Sequence, residues 1–287
     1  MADTTKAPCD NCASLATRSP VHGAPGLDRC DACGGWSFTP APGLDPESLY
    51  GEAYFNGEEY GAYDAAHASH VRNFTRKLEL LARRSGRRPE DMRLLEIGCA
   101  TGEFLRVARA AGVTCHLGIE PSAYCREIAT RRGLEVLSPS DPGASAAIAS
   151  LEPTVVVAWD VWEHLPHPAR ELDAVLAHAS PDVTVALSTV DASSFVAKIR
   201  GTRWRQFHPP THLNYPTRRS LEHYLASRGF TVRHHASFGY YRPLLEYARA
   251  LGMDPRQRAD GWNLPWTFPL YLNLWDIQLV IATRGQA

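Results

Sequence analysis

The chain has 287 residues, of which 44% are hydrophobic and 21% charged, and its formal net charge is −1 at pH 7. This length accommodates one large α/β domain with a small appendage. The near-neutral charge argues against a chain that binds nucleic acid through a broad basic surface. The polar first residues lack the apolar run of a secretory signal, and no stretch of about 18 apolar residues predicts a membrane span, so we expect a cytoplasmic protein.

Four of the seven cysteines form two Cys-x-x-Cys pairs, Cys9 with Cys12 and Cys30 with Cys33. An odd number of cysteines without a secretion signal argues against a disulfide framework. Each tight turn directs two sulfurs at one point, and Zn²⁺ takes four thiolates in a tetrahedron. We therefore predict a structural zinc module over residues 1–46, with no open metal position for catalysis. Redox dithiols or free cysteines are the alternative.

The next segment, residues 47–88, combines an aromatic arm with a helical pattern. Apolar residues from Val71 to Leu81 recur at helical spacing and predict a helix over 64–84. The tyrosines of the arm either fold over a bound cofactor or pack against the domain. These tyrosines are Tyr54, Tyr60 and Tyr63.

From residue 89 to residue 287, short apolar runs alternate with helical patterns, which is typical of a doubly wound, Rossmann-like parallel sheet. The predicted strands, seven in all, are 93–98, 115–121, 134–137, 154–159, 183–190, 230–236 and 277–283. The predicted helices are 103–111, 122–132, 168–178 and 217–228. Two long connections, 191–216 and 239–275, are rich in aromatic residues, His and Pro, and we expect them to form walls or a lid over a pocket.

A glycine turn follows the first of these strands, in the segment Glu-Ile-Gly-Cys-Ala-Thr-Gly-Glu. Gly98 and Gly102 allow a tight turn and the close approach of a ligand, although Ala100 interrupts the G-x-G-x-x-G pattern and disfavours NAD. Glu120 ends the second strand, where an acid can accept hydrogen bonds from both hydroxyls of an adenosine ribose. The alternatives are an ordinary strand–helix turn and a solvated loop acid.

The fourth strand ends in Asp-Val-Trp-Glu-His, which places Asp160, Glu163 and His164 at the carboxyl edge of the sheet. We predict that His164 is a general base, because the usual pKa of imidazole lies near working pH. Alternatively, Glu163 and His164 brace the loop. A later segment, 204–217, contributes further pocket candidates, which are His208, His212 and Tyr215, and His208 or His212 is a second choice for the base. The alternative is a proline-stiffened loop with hydrogen-bonded histidines.

The segment Leu-Leu-Glu-Ile-Gly-Cys-Ala-Thr-Gly-Glu-Phe-Leu resembles motif I of class I S-adenosylmethionine-dependent methyltransferases. The Asp-x-x-Glu-His pattern resembles that of a large small-molecule subgroup of the same family. The resemblance implies that Glu96 lies near the methionine end of the cofactor, that Glu120 binds the ribose and that Asp141 contacts the adenine. The implied cofactor-binding residues are Glu96, Gly98, Cys99, Gly102, Glu120, Pro121, Asp141 and Asp160.

The whole arrangement resembles bacterial methyltransferases that begin with a zinc ribbon and an aromatic arm. The resemblance implies methyl transfer from S-adenosylmethionine to a small molecule, such as a specialised metabolite or sugar intermediate. Sugar C-methyltransferases of this kind carry a larger C-terminal domain, which makes a sugar acceptor less expected here. A ribosomal RNA base methyltransferase and a non-catalytic cofactor-binding protein that docks a carrier protein are the alternatives. A carrier protein or a second copy of the chain stays open as a partner.

Overall fold

The computed structural model describes residues 7–21, 23–39, 63–250 and 268–285. In the N-terminal part, short strands alternate with the two cysteine turns. These strands are β1 (Ala7–Pro8), β2 (Leu15–Ala16), β3 (Arg18–Pro20), β4 (Leu27–Cys30) and β5 (Trp36–Phe38). Strand β1 pairs with β2, and β4 lies between β3 and β5, all antiparallel.

A long helix, α1 (Tyr63–Ser85), precedes the main sheet, close to the predicted helix bounds. The sheet has seven strands, as predicted. They are β6 (Arg93–Ile97), β7 (Cys115–Ile119), β8 (Val136–Leu137), β9 (Val155–Trp159), β10 (Thr184–Val190), β12 (Phe230–Ser237) and β15 (Ile277–Arg284). The strands lie in the order β12-β15-β10-β9-β6-β7-β8. The five strands β10, β9, β6, β7 and β8 run parallel to one another, and β15 is antiparallel to both of its neighbours. This is a doubly wound α/β sheet of the Rossmann-like type.

Helices connect the strands and cover both faces of the sheet. They are α2 (Glu103–Ala110), α3 (Ala123–Arg131), α4 (Ala144–Leu151), α5 (Pro168–Leu176), α6 (Phe195–Arg200) and α7 (Arg218–Ser227). The Ser122 side chain accepts a hydrogen bond from the Cys125 N–H, so it caps α3. Thr217 and Ser220 form a reciprocal capping box at α7.

The two long connections contain more regular structure than the sequence predicts. The first holds α6 and strand β11 (Asn214–Tyr215), and the described part of the second holds β13 (Tyr240–Pro243), α8 (Leu244–Ala250) and β14 (Pro269–Leu272). The connections therefore contain helices and strands that the sequence did not predict. Residues 251–267, Tyr54, Tyr60 and the Tyr63 side chain lie outside the described residues.

One strand boundary and one additional helix also differ from the prediction. The third strand of the sheet begins at Val136, because the Leu134 N–H bonds to the Ala129 carbonyl and so belongs to the turn that ends α3. Helix α4 was not predicted, since its Ala- and Ser-rich sequence buries few residues and shows only a weak apolar stripe.

Apolar side chains pack on both faces of the sheet. On one face, Leu95, Val156 and Val185 pack with apolar residues of α5 and α7. On the other face, Leu94 and Val157 pack with apolar residues of α1 and α2. No helix in the described ranges is long and apolar enough to cross a membrane.

The N-terminal sheet is continuous with the main domain, because β11 adds to it beside β5. Asn214 pairs with Ser37, and Tyr215 pairs with Trp36. The four-stranded sheet that results has the order β11-β5-β4-β3. A strand from the predicted pocket wall is therefore part of the cysteine-bearing module.

Candidate active site and metal centre

The glycine turn connects β6 to α2 and needs both of its glycines. Gly98 and Gly102 have φ angles of 67° and 77°, a backbone region that other residues rarely adopt. A Cβ on Gly98 would lie 2.5 Å from Val161 Cγ2, and one on Gly102 would overlap Leu134. The turn is thus packed tightly against two neighbouring segments and places the N-terminus of α2 at the carboxyl edge of the sheet.

Glu120 joins this turn to the end of β7. Its carboxylate oxygens accept hydrogen bonds from the Ala100 N–H and the Ser122 N–H, both at 2.9 Å. Each oxygen has a second lone pair with which it can accept a hydrogen bond from a ligand. Burial of this carboxyl, which is only 4% exposed, raises the pKa of Glu120. The carboxylate is therefore held in place before any ligand binds.

Two buried polar atoms near the same edge have no hydrogen-bond partner among the described residues. They are Glu96 Oε2, on β6, and Trp159 Nε1, on the adjacent β9. Burial raises the pKa of Glu96 well above its usual value. An unpartnered buried polar atom costs about 1–3 kcal/mol, and a polar ligand would recover part of that cost. These two atoms are suited to a cofactor that carries polar groups.

The contacts of three other predicted cofactor-binding residues give less indication of a ligand site. Cys99 is buried, and its sulfur is directed at Gly118 of β7, where a Cβ would lie 2.6 Å away. Asp141 is exposed before α4, and its Oδ1 accepts a hydrogen bond from the Gly143 N–H at 2.7 Å. The Pro121 carbonyl accepts a hydrogen bond from Arg126 at 2.6 Å.

Asp160 directly follows β9 and lies within a cluster that the sequence did not reveal. Its carboxylate accepts hydrogen bonds from Tyr240 Oη at 2.7 Å, Ser188 Oγ at 3.0 Å and Lys77 Nζ at 3.2 Å. Burial alone would raise the pKa of Asp160, but the Lys77 charge and these hydrogen bonds hold that pKa below its usual value. Lys77 interrupts the apolar stripe of α1 between Phe74 and Leu78, and that irregularity is the signal that could have identified it.

The segment after β9 folds as a tight turn that is anchored in the core. Asp160 has a left-handed φ of 58°, and the His164 N–H bonds back to the Val161 carbonyl at 2.9 Å. The Trp162 side chain is fully buried and packs edge-on against Tyr224, with 5.4 Å between ring centroids. The anchored Trp162 fixes the positions of the next two residues, Glu163 and His164.

The three predicted histidines lie together. The His164 and His212 rings are perpendicular, with centroids 4.6 Å apart, and the exposed His208 ring lies 5.4 Å from that of His212. His164 Nδ1 donates to the Thr211 carbonyl at 3.0 Å, and His212 Nδ1 donates to the Gln206 carbonyl at 2.8 Å. Burial lowers the pKa of His164 to about 4 and that of His212 to about 3, so both rings are neutral near pH 7.

Glu163 completes this cluster. One carboxylate oxygen accepts a hydrogen bond from Thr189 Oγ1 at 2.6 Å. The ligand atoms of Glu163, His164 and His212 lie within 4.8 Å of one another. Burial, reinforced by the Asp160 charge, raises the pKa of Glu163 to about 8. The Glu163 carbonyl also accepts hydrogen bonds from the Leu213 and Asn214 N–H groups, which ties the two histidine-bearing segments together.

The four N-terminal cysteines form a second cluster. All four are buried, and their sulfurs lie within 4.8 Å of one another. Cys9 Sγ and Cys33 Sγ are 3.8 Å apart. A ZnS₄ tetrahedron with bonds of about 2.3 Å has edges of about 3.8 Å, so the geometry fits a zinc ion.

A chain of hydrogen bonds connects the two clusters. Asn11, inside the first cysteine turn, accepts from Trp162 Nε1 at 3.3 Å and donates to Ser37 Oγ at 3.2 Å. Ser37 donates to Asn214 Oδ1 at 3.0 Å, and Asn214 Nδ2 donates to the Leu165 carbonyl at 2.7 Å. The cysteine module therefore contacts both segments that carry the histidines.

Comparisons with known proteins agree with this architecture. The family Methyltransf_23, described as a methyltransferase domain, matches residues 67–235. A methyltransferase from Thermotoga maritima, described as a "possible histamine N-methyltransferase", has a TM-score of 0.52 at 16% identity and covers 84% of this chain and 100% of its own. The plantazolicin methyltransferase BpumL, solved with S-adenosylhomocysteine, has a TM-score of 0.51 at 11% identity and covers 84% of this chain and 95% of its own.

The YcgJ protein of Bacillus subtilis gives a TM-score of 0.51 at 12% identity, over 74% of this chain and 99% of its own. No curated protein matches the chain. At these identities the solved structures show the fold alone, whereas the family match covers more than half of the chain. The chain belongs to the Methyltransf_23 family and is a methyltransferase.

Proposed function

We propose that this enzyme methylates a small molecule that binds at the carboxyl edge of the sheet, beside the histidine cluster. The observation that carries the proposal is that His212, from the segment before β11, lies beside Glu163 and His164 of the turn after β9. In a doubly wound sheet, ligands bind at this edge. Two neutral imidazoles and a carboxyl group there suit a polar acceptor far better than an apolar one.

For the cofactor, we propose a site on the glycine turn and the ends of β6, β7 and β9. Glu120 would accept hydrogen bonds from the ribose hydroxyls through the unused lone pairs of its fixed carboxylate. The orphaned Glu96 Oε2 supports contact with a polar part of the cofactor. The full proposed set is Glu96, Gly98, Cys99, Gly102, Glu120, Pro121, Asp141 and Asp160.

The bound cofactor supplies a sulfonium methyl group, which is transferred as its C–S bond breaks and S-adenosylhomocysteine remains. The task of the chain is therefore mainly to align the acceptor with the methyl carbon and to keep water out. Where the acceptor is a hydroxyl, the proton must also be removed. We propose His164 and His212 for that step, with His208 at the exposed edge of the cluster.

We also propose that Cys9, Cys12, Cys30 and Cys33 hold a structural zinc ion. The sulfur spacing and the burial of all four thiols support it. Four thiolates close the coordination shell, so the ion would act on the fold of the module and, through Asn11, on the position of Trp162.

As a domain division, we propose a zinc module over 1–46, an arm and helix over 47–88 and a methyltransferase domain over 89–287. The pairing of β11 with β5 supports a close attachment of the first unit to the 191–216 wall. In this arrangement, the module forms part of the support of the acceptor pocket.

Methyl transfer can be tested with S-adenosylmethionine that carries an isotopically labelled methyl group. The full-length protein is incubated with a metabolite extract and separately with ribosomal RNA, and the products are analysed by mass spectrometry. We expect label in a small molecule and none in RNA. Label in RNA would make the chain a nucleic-acid methyltransferase. Retained S-adenosylhomocysteine binding with no labelled product in either pool would contradict the proposal.

A further inference from the structure

The Glu163–His164–His212 cluster has the composition and the geometry of a metal site of its own. We propose that these three residues bind a divalent transition-metal ion, distinct from the Cys₄ zinc, and that the ion holds an oxygen atom of the methyl acceptor. The catalytic role rests on the methyl transfer proposed above, whereas the binding of the ion does not.

The spacing of the ligand atoms is close to that of a coordinated set. The three atoms lie within 4.8 Å of one another. In a tetrahedral site with bonds of about 2.1 Å, two ligand atoms lie about 3.4 Å apart, so the widest pair needs to approach by up to about 1.4 Å. Small rotations of side chains can supply that movement without any rearrangement of the backbone.

Each of the three ligands is oriented by a second group, as is usual for metal ligands. Thr189 Oγ1 donates to Glu163. The Thr211 and Gln206 carbonyls each accept a hydrogen bond from Nδ1 of a histidine, namely His164 and His212. Because a carbonyl only accepts, Nδ1 carries the proton in each ring, and the lone pair of the neutral ring is on Nε2. The tautomer of both rings is thus set to the form that binds a metal.

The donor set also indicates which ions fit. Two imidazoles and one carboxylate suit Zn²⁺, Co²⁺, Ni²⁺ and Fe²⁺, and three protein ligands leave coordination positions open. The cysteine cluster differs in both respects, because four thiolates form a soft and closed site. The two clusters would therefore select different ions and hold them with different lability.

The open positions give the ion a role in methyl transfer. An acceptor hydroxyl bound to the ion has a lowered pKa and releases its proton to solvent water. The resulting oxyanion attacks the methyl carbon, the new O–C bond forms, and the electron pair of the broken C–S bond stays on sulfur. His164 and His212 would thus serve the removal of the proton proposed above by holding the ion, and the proton itself passes to water at the exposed edge of the cluster beside His208.

The binding of the ion can be measured with Co²⁺ as a spectroscopic probe. Full-length protein whose cysteine site is filled with Zn²⁺ is dialysed against Co²⁺, and both metals are counted by mass spectrometry. We expect one Co²⁺ and one Zn²⁺ per chain, with visible d–d bands and no thiolate-to-cobalt charge-transfer band. No bound Co²⁺, or Co²⁺ with a thiolate band only, would overturn the proposal.

Variants locate the site. Glu163→Gln and His212→Gln should each weaken Co²⁺ binding at least tenfold, whereas His178→Gln should not. His178 is a suitable control because it follows α5 and bonds to Ser145, away from the cluster. Zinc content and S-adenosylhomocysteine affinity of each variant report whether it is folded. Unchanged Co²⁺ binding in the folded Glu163 and His212 variants would refute the assignment.

Measurements of methyl transfer distinguish a failure of the metal proposal from a failure of the proposed function. Protein depleted of the labile ion but still carrying its zinc should lose at least tenfold in methyl transfer and regain it with added metal. Full activity in the depleted protein would remove the catalytic role of the ion and leave methyl transfer standing. Stoichiometric Co²⁺ without labelled product in any metal state would instead contradict the proposed function and leave the metal site standing.

Discussion

The two clusters of candidate metal ligands are assembled in opposite ways. In the cysteine cluster, each pair of sulfurs comes from one tight turn, and the two turns are joined by the short strands β2, β3 and β4 of two small sheets. In the histidine cluster, Glu163 and His164 come from the turn after β9, and His212 comes from the segment before β11, far along the chain. A local spacing therefore reveals the first cluster in the sequence, whereas only the fold brings the second together.

The largest expected effect comes from breaking the locally encoded cluster. Cys30→Ser should abolish stable zinc binding and unfold the N-terminal module while the seven-stranded sheet stays folded. The reason is that the free energy of binding a structural zinc ion, on the order of 10 kcal/mol, is also folding free energy for a module with so small a core. Zinc content and circular dichroism of the purified variant measure the two consequences.

Cys115→Ser is the matched control for this prediction, because Cys115 is an exposed thiol at the start of β7. It should keep full zinc and full stability. Full zinc occupancy in Cys30→Ser would contradict the metal assignment, and collapse of the whole protein would show that the module and the main sheet fold as one unit.

A smaller effect is expected at Glu120. Like the cysteines, Glu120 was predicted from the local sequence, because it lies at the end of a predicted strand. Glu120→Ala should weaken the binding of S-adenosylhomocysteine by about 1–3 kcal/mol, because the hydroxyls that it would hold lose their buried acceptor. Isothermal titration calorimetry provides the affinity. Glu127→Ala, an exposed change on α3, is the control. Equal affinity in the two variants would eliminate the ribose assignment.

The same distinction between local and long-range information explains which parts of the fold could be predicted. Strands such as Val155–Trp159 are continuous apolar runs with clear ends, and their order along the chain indicates a parallel sheet. The pairing of β11 with β5 could not be predicted, because no pattern in Asn214–Tyr215 points to a strand in the first forty residues. The pair β13–β14 is separated by a long segment in the same way.

The candidate site shows the same division. His164, His208 and His212 were each predicted from their neighbouring motifs, but the sequence gives no means of placing His212 beside Glu163. Lys77 and Tyr240 were missed because they meet Asp160 from two distant elements, α1 and β13. Side chains that meet across the fold leave little signal in the local sequence. A charged residue within an apolar helical stripe, such as Lys77, is the best indication that the sequence offers of such a contact.

The smallest of these effects tests whether the two clusters communicate. Asn11→Ala should leave zinc in place, because Asn11 is not a ligand, but it removes the hydrogen bond to Trp162 Nε1 and the one to Ser37 Oγ. The loss of hydrogen bonds between buried groups costs about 1–2 kcal/mol. Because Trp162 precedes Glu163, we expect a reduced rate of methyl transfer and weaker Co²⁺ binding, with S-adenosylhomocysteine affinity unchanged.

Ser14→Ala provides the comparison for Asn11→Ala. Ser14 lies beside the same cysteine turn and also bonds to the main domain, through His223 at 2.8 Å, but that contact is exposed and reaches α7 rather than either segment of the histidine cluster. A module that merely adds stability would give the two variants similar activities once both are folded. Lower activity and weaker Co²⁺ binding in Asn11→Ala alone would mean that the cysteine turn positions the Glu163–His164 segment through Trp162, so that the locally encoded cluster supports the one that the fold assembles.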